Sequence, residues 1–279
     1  MDVRTTQLDF IIVIPVYNDK FGLSIALRSI RYSKGKFGVV IVDDGSREIV
    51  SEEEIKPLLP AEATLHIINQ KQNAGITRAL NAGLDWIYNN QGRLFETQFI
   101  ARLDSGDICS EDRFDKQVAF LRANENIDLL GSWCVFEDFE TGEKFVYRTP
   151  TVDKQIRRAM HFRNIFIHPT VMWRVELSEK FKHYPENFPH AEDYGLFYQW
   201  MADNVKTAII PETLVTCRIN PRGLSLANRA YQLKSRIKVI KAFGNNKFLT
   251  VIGILKLWAL LALPYSVVFK MKKMLAAVK

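Results

Sequence analysis

Hydrophobic side chains in the first hundred residues fall into short continuous runs, each closed by a polar or glycine-containing loop. Phe10-Ile-Ile-Val-Ile14, Gly38-Val-Val-Ile-Val42 and Leu65-His-Ile-Ile68 are three such runs, and Phe99-Ile100-Ala101 opens a fourth. Runs without polar alternation predict strands covered on both faces. Between them the period changes. Leu23, Ala26, Leu27 and Ile30 share one helical face, as do Ala79, Leu80 and Leu84, and then Phe114, Val118 and Leu121 after a helix start at Ser110-Glu111-Asp112. Strands that alternate with helices pair in parallel through right-handed crossovers. Their polar C-terminal loops then share one sheet edge, where open α/β sheets bind ligands.

The second half is less regular. Ile127 to Trp133, continued by Val135 and Phe136, predicts another strand, and the apolar stretch His161 to Trp173 predicts one more around His168-Pro169-Thr170. Leu196, Phe197, Trp200 and Met201 form a helical stripe behind Ala191-Glu192-Asp193-Tyr194. Phe248 to Phe269 is mostly apolar, with Lys256 and Pro264 inside it. A helix of that length reaches across a bilayer core, yet those two residues favour one that lies in the plane of a membrane, re-enters it or packs on the protein. Trp258 and Tyr265 suit an interface, and lysines flank the stretch on both sides.

Charge sharpens this division. The 279 residues carry a formal net charge of +7, but no acidic residue follows Glu212, while 13 Lys and Arg lie from Arg218 onward. A mildly acidic body with a purely basic end is not the profile of a nucleic-acid binder; it suits contact with an anionic membrane surface. Cys109, Cys134 and Cys217 show no paired spacing, so neither a disulfide framework nor a zinc site is expected. The first ten residues contain no apolar signal region, so export through a cleaved signal is not expected.

The candidate chemistry sits in the loops. Asp104 and Asp107 lie on the turn after the fourth strand, where paired carboxylates either cap a helix or hold a cation that serves a phosphate. Glu192 and Asp193 begin a helix, whose positive end favours ionised carboxylates. No GxxxxGK[ST] or GxGxxG follows any strand, which argues against a P-loop enzyme and a dinucleotide dehydrogenase.

The motifs in their order, IPVYN, VDDGS, QNAGITRALNAGL, RLDSGD and DRFDKQ, resemble those of bacterial family 2 glycosyltransferases that build O-antigen, capsule and other surface polysaccharides. The resemblance runs from about Phe10 to Ser225. It implies a GT-A fold, a Rossmann-like α/β domain with a mostly parallel central sheet, spanning 1–228. The nucleotide-binding half is about 1–125 and the acceptor half about 126–228; beyond the resemblance, the charge and apolar pattern of 229–279 predict a helical membrane-associating tail.

By the same resemblance, Pro15 and Tyr17 line the nucleotide pocket, and Asp43 or Asp44 reads base and ribose. Asn73, Gly75 and Arg78 lie near the diphosphate, and Arg218 and Arg222 belong to a loop that closes over it. Asp104 and Asp107 hold Mn²⁺ or Mg²⁺, although relatives usually show Asp-x-Asp-Asp where this chain has Gly106. His168 borders the acceptor site as a secondary candidate for metal or phosphate contact. Asp193 is the catalytic base, kept ionised by the helix N-terminus, with Glu192 as its orienting or acceptor-binding neighbour.

The expected activity is inverting transfer of one sugar from a UDP- or dTDP-linked donor to a saccharide acceptor, lipid-linked, at the cytoplasmic face of the bacterial inner membrane. The Gln-x-x-Arg-Trp motif of processive relatives is absent; Tyr198-Gln199-Trp200 does not supply it. Two alternatives stand beside this reading. A sugar nucleotidyltransferase would release pyrophosphate rather than a nucleoside diphosphate. A catalytically silent nucleotide-sugar-binding membrane protein would be indifferent to the loss of Asp193.

Overall fold

The computed structural model describes residues 5–177, 181–219 and 228–263. Its centre is a strand, β1 (Thr6–Val16), flanked in parallel by β2 (Phe37–Asp43) and β4 (Phe95–Arg102), with β3 (Ala63–Asn69) parallel on the far side of β2. These four are the runs expected from the pattern. Every residue of β2 is buried, as a strand covered on both faces requires. β4 begins four residues before Phe99, because Glu96 and Thr97 interrupt the apolar run that marks it in the sequence.

The sheet continues beyond β4 in a mixed arrangement. The remaining strands are β5 (Ile108–Cys109), β6 (Leu129–Asp138), β7 (Lys144–Tyr147), β8 (Met172–Arg174) and β9 (Thr207–Ile219). The spatial order is β3-β2-β1-β4-β8-β6-β9-β5, with β7 on β6. The three-residue β8 lies antiparallel to both β4 and β6, so β6 and its parallel neighbour β9 run in the same direction as the first four strands.

The two faces of β1 nucleate two cores. Phe10, Ile12 and Ile14 pack with Leu23, Ala26 and Leu27 of α1 (Lys20–Ser29). Phe114, Val118 and Leu121 of α4 (Arg113–Ala123) join them, as does Phe10 itself, stacked between Phe37 and Phe114 at centroid distances of 5.3 and 4.8 Å. A short helix, α2 (Glu52–Ile55), follows β2. Ile11 and Val13 face the other way, onto Leu80, Leu84 and Ile87 of α3 (Ile76–Asn90). Gly83 lets α3 settle on the sheet: an added Cβ would stand 2.9 Å from the Val13 side chain.

One local expectation needs correction. His168 is not on a strand. His168–Thr170 forms a 3₁₀ turn, since Pro169 cannot donate to a ladder, and only Met172–Arg174 pairs. The two-residue β5, which closes the Asp104–Asp107 turn against β9, is too short to leave a periodic signal.

Helix α5 (Asp153–Met160) and α6 (Glu192–Ala202) cover the second face, and α7 (Arg229–Phe243) packs on α6. α8 (Lys247–Ala262) packs back on α7. Among the described residues no helix is long and apolar enough to cross a membrane. Arg222 and the end of the Phe248–Phe269 stretch lie outside the described residues.

Candidate active site

Parallel register brings four loops to one edge, and hydrogen bonds lace them together. Val16 lies opposite Asp43, and Asp43 opposite Asn69. At the end of β1, Asn18 adopts φ 51° and its amide donates to Ser46 Oγ at 2.8 Å, while the Arg47 amide donates to Asn18 Oδ1 at 2.9 Å. Asp43 and Asp44 are both buried. Asp43 accepts the amides of Ser46 and Val50, which closes its own loop. Asp44 accepts the amides of Ala74 and Gly75 at 2.8 and 2.9 Å, which ties the β2 loop to the start of α3.

Gly45 has φ +75°, and a Cβ there would meet the backbone of Gln72 and Asn73 at 2.5–2.6 Å, so only glycine fits this junction. Pro15 is partly buried; Tyr17 and Asn73 are exposed along the rim. The exposed Arg78 pairs with Glu186 at 3.2 Å. Together these side chains border the mouth above β1 and β2.

The Asp104–Asp107 turn rests on two fully buried arginines that the sequence reading passed over. Arg102, the last residue of β4, donates through Nη1 to the carbonyls of Val13 and Leu103, through Nε to His168 Nε2 at 3.2 Å, and through Nη2 to the Asp104 carboxylate. Arg113 donates to the Arg102 carbonyl at 2.8 Å and to Gln117 Oε1 at 3.0 Å, and Gln117 donates to the Thr170 carbonyl. Asp107, buried, accepts the amide of Arg218 at 2.9 Å, while the Arg218 guanidinium lies over the Phe139 ring at 4.6 Å. Gly106 has φ +90°, which an aspartate in its place would adopt only with strain.

The charges of this turn diverge. Burial raises the pKa of Asp104, but the Arg102 guanidinium, through its charge and its hydrogen bond, outweighs it with Arg113 and holds the carboxyl below the usual range. Burial, with Asp104 second, pushes Asp107 well above it. His168 is held down to about 3 by burial and Arg102, so it is a neutral acceptor between Arg102 and Tyr184, whose hydroxyl lies 2.8 Å from its Nε2. Asn81 of α3 clamps Tyr184 in turn, accepting its amide at 2.7 Å and donating to its carbonyl at 3.0 Å. A chain of buried polar contacts thus runs from α3 to Asp104.

Among the described residues no group of three or more His, Cys, Asp and Glu is placed to hold a metal. Two carboxylates nevertheless suit a divalent ion that keeps waters and takes substrate phosphate oxygens. Each of Asp104 and Asp107 uses one oxygen in the hydrogen bonds named, and no described residue donates to the other oxygen. A buried acid raised by its neighbour's charge is the electrostatic situation a cation relieves.

Glu192 and Asp193 open α6, as expected, but the electrostatics reverse the expected sign. Burial raises Asp193 above the usual range, although the Tyr194 amide at 2.6 Å, Arg236 and Asn164 Nδ2 at 2.9 Å all oppose it. Desolvation outweighs these three opposing contacts. Glu192 is pushed up to about 7 by burial and then by Asp193, and its Oε2 has no hydrogen-bond partner among the described residues. Asp104 adds to the rise at both residues, so the Asp104–Asp107 turn and the α6 pair act within one field.

The chain matches the family described as glycosyl transferase family 2 over residues 11–180. It belongs to glycosyl transferase family 2. This glycosyltransferase is 28% identical over 255 residues to an uncharacterized glycosyltransferase of Methanocaldococcus jannaschii, covering 85% of this chain and 82% of the relative. It is 25% identical over 245 residues to the UDP-Gal:alpha-D-GlcNAc-diphosphoundecaprenol beta-1,3-galactosyltransferase of Escherichia coli, covering 87% and 84%. A mannosyltransferase from Pyrobaculum calidifontis, in complex with GDP-Man and Mn²⁺, superposes with a TM-score of 0.61 at 16% identity over 99% of this chain and 83% of that one. The fold of the enzyme is accordingly the GT-A arrangement, with the mostly parallel sheet the motifs imply.

The glycosyltransferase therefore gathers Pro15, Tyr17, Asp43, Asp44, Asn73, Gly75, Arg78, Asp104, Asp107 and Arg218 along the loop edge, with Glu192 and Asp193 in electrostatic contact with it. Arg102, Arg113, Asn81, Tyr184 and Asn164 are the supports that sequence reasoning missed. The one available signal was position: Arg102 ends an apolar strand directly before the acidic turn, where a solvated arginine has no reason to be.

Glu192 makes a measurable stability prediction. An acid raised to about 7 in the fold from an ordinary value of 4.5 binds its proton more tightly when folded. Its contribution is full below about pH 4.5 and is lost as pH rises through about 7. Glu192→Gln should match the parent at pH 4 and exceed it at pH 8, by about 3 kcal/mol. Thermal unfolding across that range checks it; parallel curves for the two proteins would refute the assignment.

Proposed function

We propose that this enzyme transfers one sugar, with inversion, from a UDP- or dTDP-linked donor to a lipid-linked saccharide during surface polysaccharide assembly. The observation that carries the reading is the convergence of two acidic centres, the Asp104–Asp107 turn and the Glu192-Asp193 pair, on one loop edge. A transferase needs two such centres. One manages the departing diphosphate and the other takes a proton from the acceptor.

The nucleotide would lie over the ends of β1 and β2, against Pro15 and Tyr17, with Asp43 and Asp44 beside base and ribose. Asp44 also holds Asn73 to Gly75 in place through two amides, so it shapes the loop that approaches the diphosphate. Arg78 can leave its exposed partner Glu186 at little cost, because such surface pairs contribute under about 1 kcal/mol. Its planar guanidinium then suits phosphate oxygens. Arg218 and Arg222 would complete the closing loop. Asp104 and Asp107 would hold Mn²⁺ or Mg²⁺, which when bound supplies positive charge for the leaving diphosphate.

Asp193 accepts the proton of the acceptor hydroxyl as that oxygen bonds to the anomeric carbon. The bond from that carbon to the diphosphate oxygen breaks on the opposite face, and its electron pair leaves with the nucleoside diphosphate. Asn164 and the Tyr194 amide fix the orientation of Asp193, and burial raises its basicity. The unpartnered Oε2 of Glu192 offers a hydrogen bond to an acceptor sugar. A lipid-linked acceptor is supported by the diphosphoundecaprenol substrate in the name of the Escherichia coli relative, and non-processive transfer by the absence of Gln-x-x-Arg-Trp.

Thermal unfolding with UDP, dTDP or GDP, each with Mn²⁺ and with EDTA, tests the reading. A nucleotide at 100 times its dissociation constant adds about 2.7 kcal/mol of stability. Stabilisation by UDP or dTDP that needs Mn²⁺ is expected. Stabilisation that ignores EDTA would remove the cation from the proposal, and stabilisation by none of the three would overturn the donor assignment.

A further inference from the structure

The two C-terminal helices carry a surface that sugar transfer does not use. α8 meets the body through one side. Gly253 lies so close to the end of α5 that an added Cβ would stand 1.9 Å from the His161 carbonyl oxygen, and Leu257 is buried one turn on. Asn246 anchors the helix start: its side chain accepts the Leu249 amide at 3.0 Å, and its own amide donates to His161 Nε2 at 3.3 Å.

The opposite side of α8 is apolar and bare. Phe248, Val251, Ile252, Leu255 and Trp258, spaced three or four residues apart along one face, are 38–72% exposed. A continuous stripe of this kind marks a docking surface rather than scattered surface apolarity. Packed beside it, α7 turns a different face outward: Tyr231, Lys234, Lys238 and Lys241, all exposed, repeat at the same spacing. No acidic residue follows Glu212, so neither helix carries a charge that offsets the lysines.

We infer that α7 and α8 seat the enzyme flat on an anionic lipid bilayer, with the α8 stripe among the upper acyl segments and the α7 lysines against phosphate headgroups. Sixteen residues of α8 extend about 24 Å, short of the hydrocarbon core of about 30 Å, so the helix lies in the plane rather than across it. The charge selects the occupant. A second copy of this chain would bring like-charged lysine rows together, whereas anionic headgroups neutralise them. Trp258, at the far end of the stripe, suits the headgroup boundary. Because α7 also packs on α6, the seat lies on the side of the molecule that carries Glu192 and Asp193. The inference concerns the surface alone and holds whichever sugar is moved.

The test is co-sedimentation of the full chain with vesicles of phosphatidylcholine, and with vesicles enriched in phosphatidylglycerol, read without any substrate. Binding to the phosphatidylglycerol vesicles that weakens with salt is expected. Leu255→Asp with Trp258→Asp should lower partitioning by about a hundredfold or more. Lys234→Gln with Lys238→Gln should lower it about 30-fold on phosphatidylglycerol vesicles only. All four side chains are solvent-facing, so unfolding temperature and UDP binding should match the parent, which separates a failed seat from a failed fold or a failed donor site. Absence of binding to the anionic vesicles overturns the proposal. So does binding that neither double variant alters, which would place it in the basic residues after 263. A lipid-free dimer that the Asp variants dissociate would assign the stripe to a second copy instead.

Discussion

Asp193→Asn should lower the turnover of sugar transfer by about 10²–10⁴-fold, the usual contribution of a general base, while nucleotide-sugar affinity stays within about threefold. The substitution keeps size and shape, and its amide oxygen can still accept the Tyr194 amide, so α6 retains its first turn. What changes is basicity. Asn164 now donates to the Oδ2 of Asp193, and it must rotate its amide to face the new NH₂ with its oxygen, a local change with no route to the nucleotide loops. Rates of nucleoside diphosphate release against acceptor concentration, with donor affinity from calorimetry, separate the two effects. Near-parental turnover would move the base elsewhere, first to Glu192. In the parent, activity should rise with pH through an apparent pKa above the ordinary carboxylate range, because burial raises both members of the pair. In Glu192→Gln that limb should move to lower pH, since Asp193 loses a neighbouring negative charge.

Arg102→Leu should destabilise the fold by about 3 kcal/mol or more. The guanidinium is fully buried and donates to two carbonyls, a histidine and a carboxylate. Removing it takes a donor from each of them, at about 1–3 kcal/mol where a buried acceptor is left unpaired, although His168 keeps the Tyr184 hydroxyl and the Val13 carbonyl keeps the Leu103 amide. Asp104 is about a third exposed, so water offsets its share, and the loss comes mainly from the Leu103 carbonyl, with smaller shares from Val13 and His168. Arg102→Lys should recover only part, since one ammonium cannot span four acceptors on different sides. Denaturant midpoints for the three proteins measure this, and a loss under about 1 kcal/mol would show that the network is dispensable. Mn²⁺-dependent stabilisation by nucleotide should fall with Arg102→Leu, because Asp104 loses the contact that orients it.

The contrast between these two residues shows what could be read in advance. The place of Asp193 was legible because it is local: an acidic pair at the start of an apolar helical stripe marks a helix start within ten residues. Arg102 was not, because its partners Val13 and His168 are 89 and 66 residues away along the chain. Likewise, the charge on Asp44 marks it for a binding loop, but its grip on Ala74 and Gly75 exists only where β2 and α3 meet.

The sequence by itself determined the order of the first four strands and the helices between them, the loop edge they share, and the acidic residues on it, whereas β5, β7 and β9 were not foreseen. The foreseen features follow from short-range physics: short, unbroken β-branched apolar runs closed by turn residues suit strands covered on both faces, and parallel strands joined by helical crossovers bring their ends to one edge. The tertiary structure alone decided the 3₁₀ turn at His168, the short β8 wedged between β4 and β6, and the protonation tendencies of Asp107, Glu192 and Asp193. Local reasoning gave the helix end control of Asp193, because a helix end is a local feature. Burial proved stronger, and burial is set by every element that packs around a side chain, which no window of sequence contains.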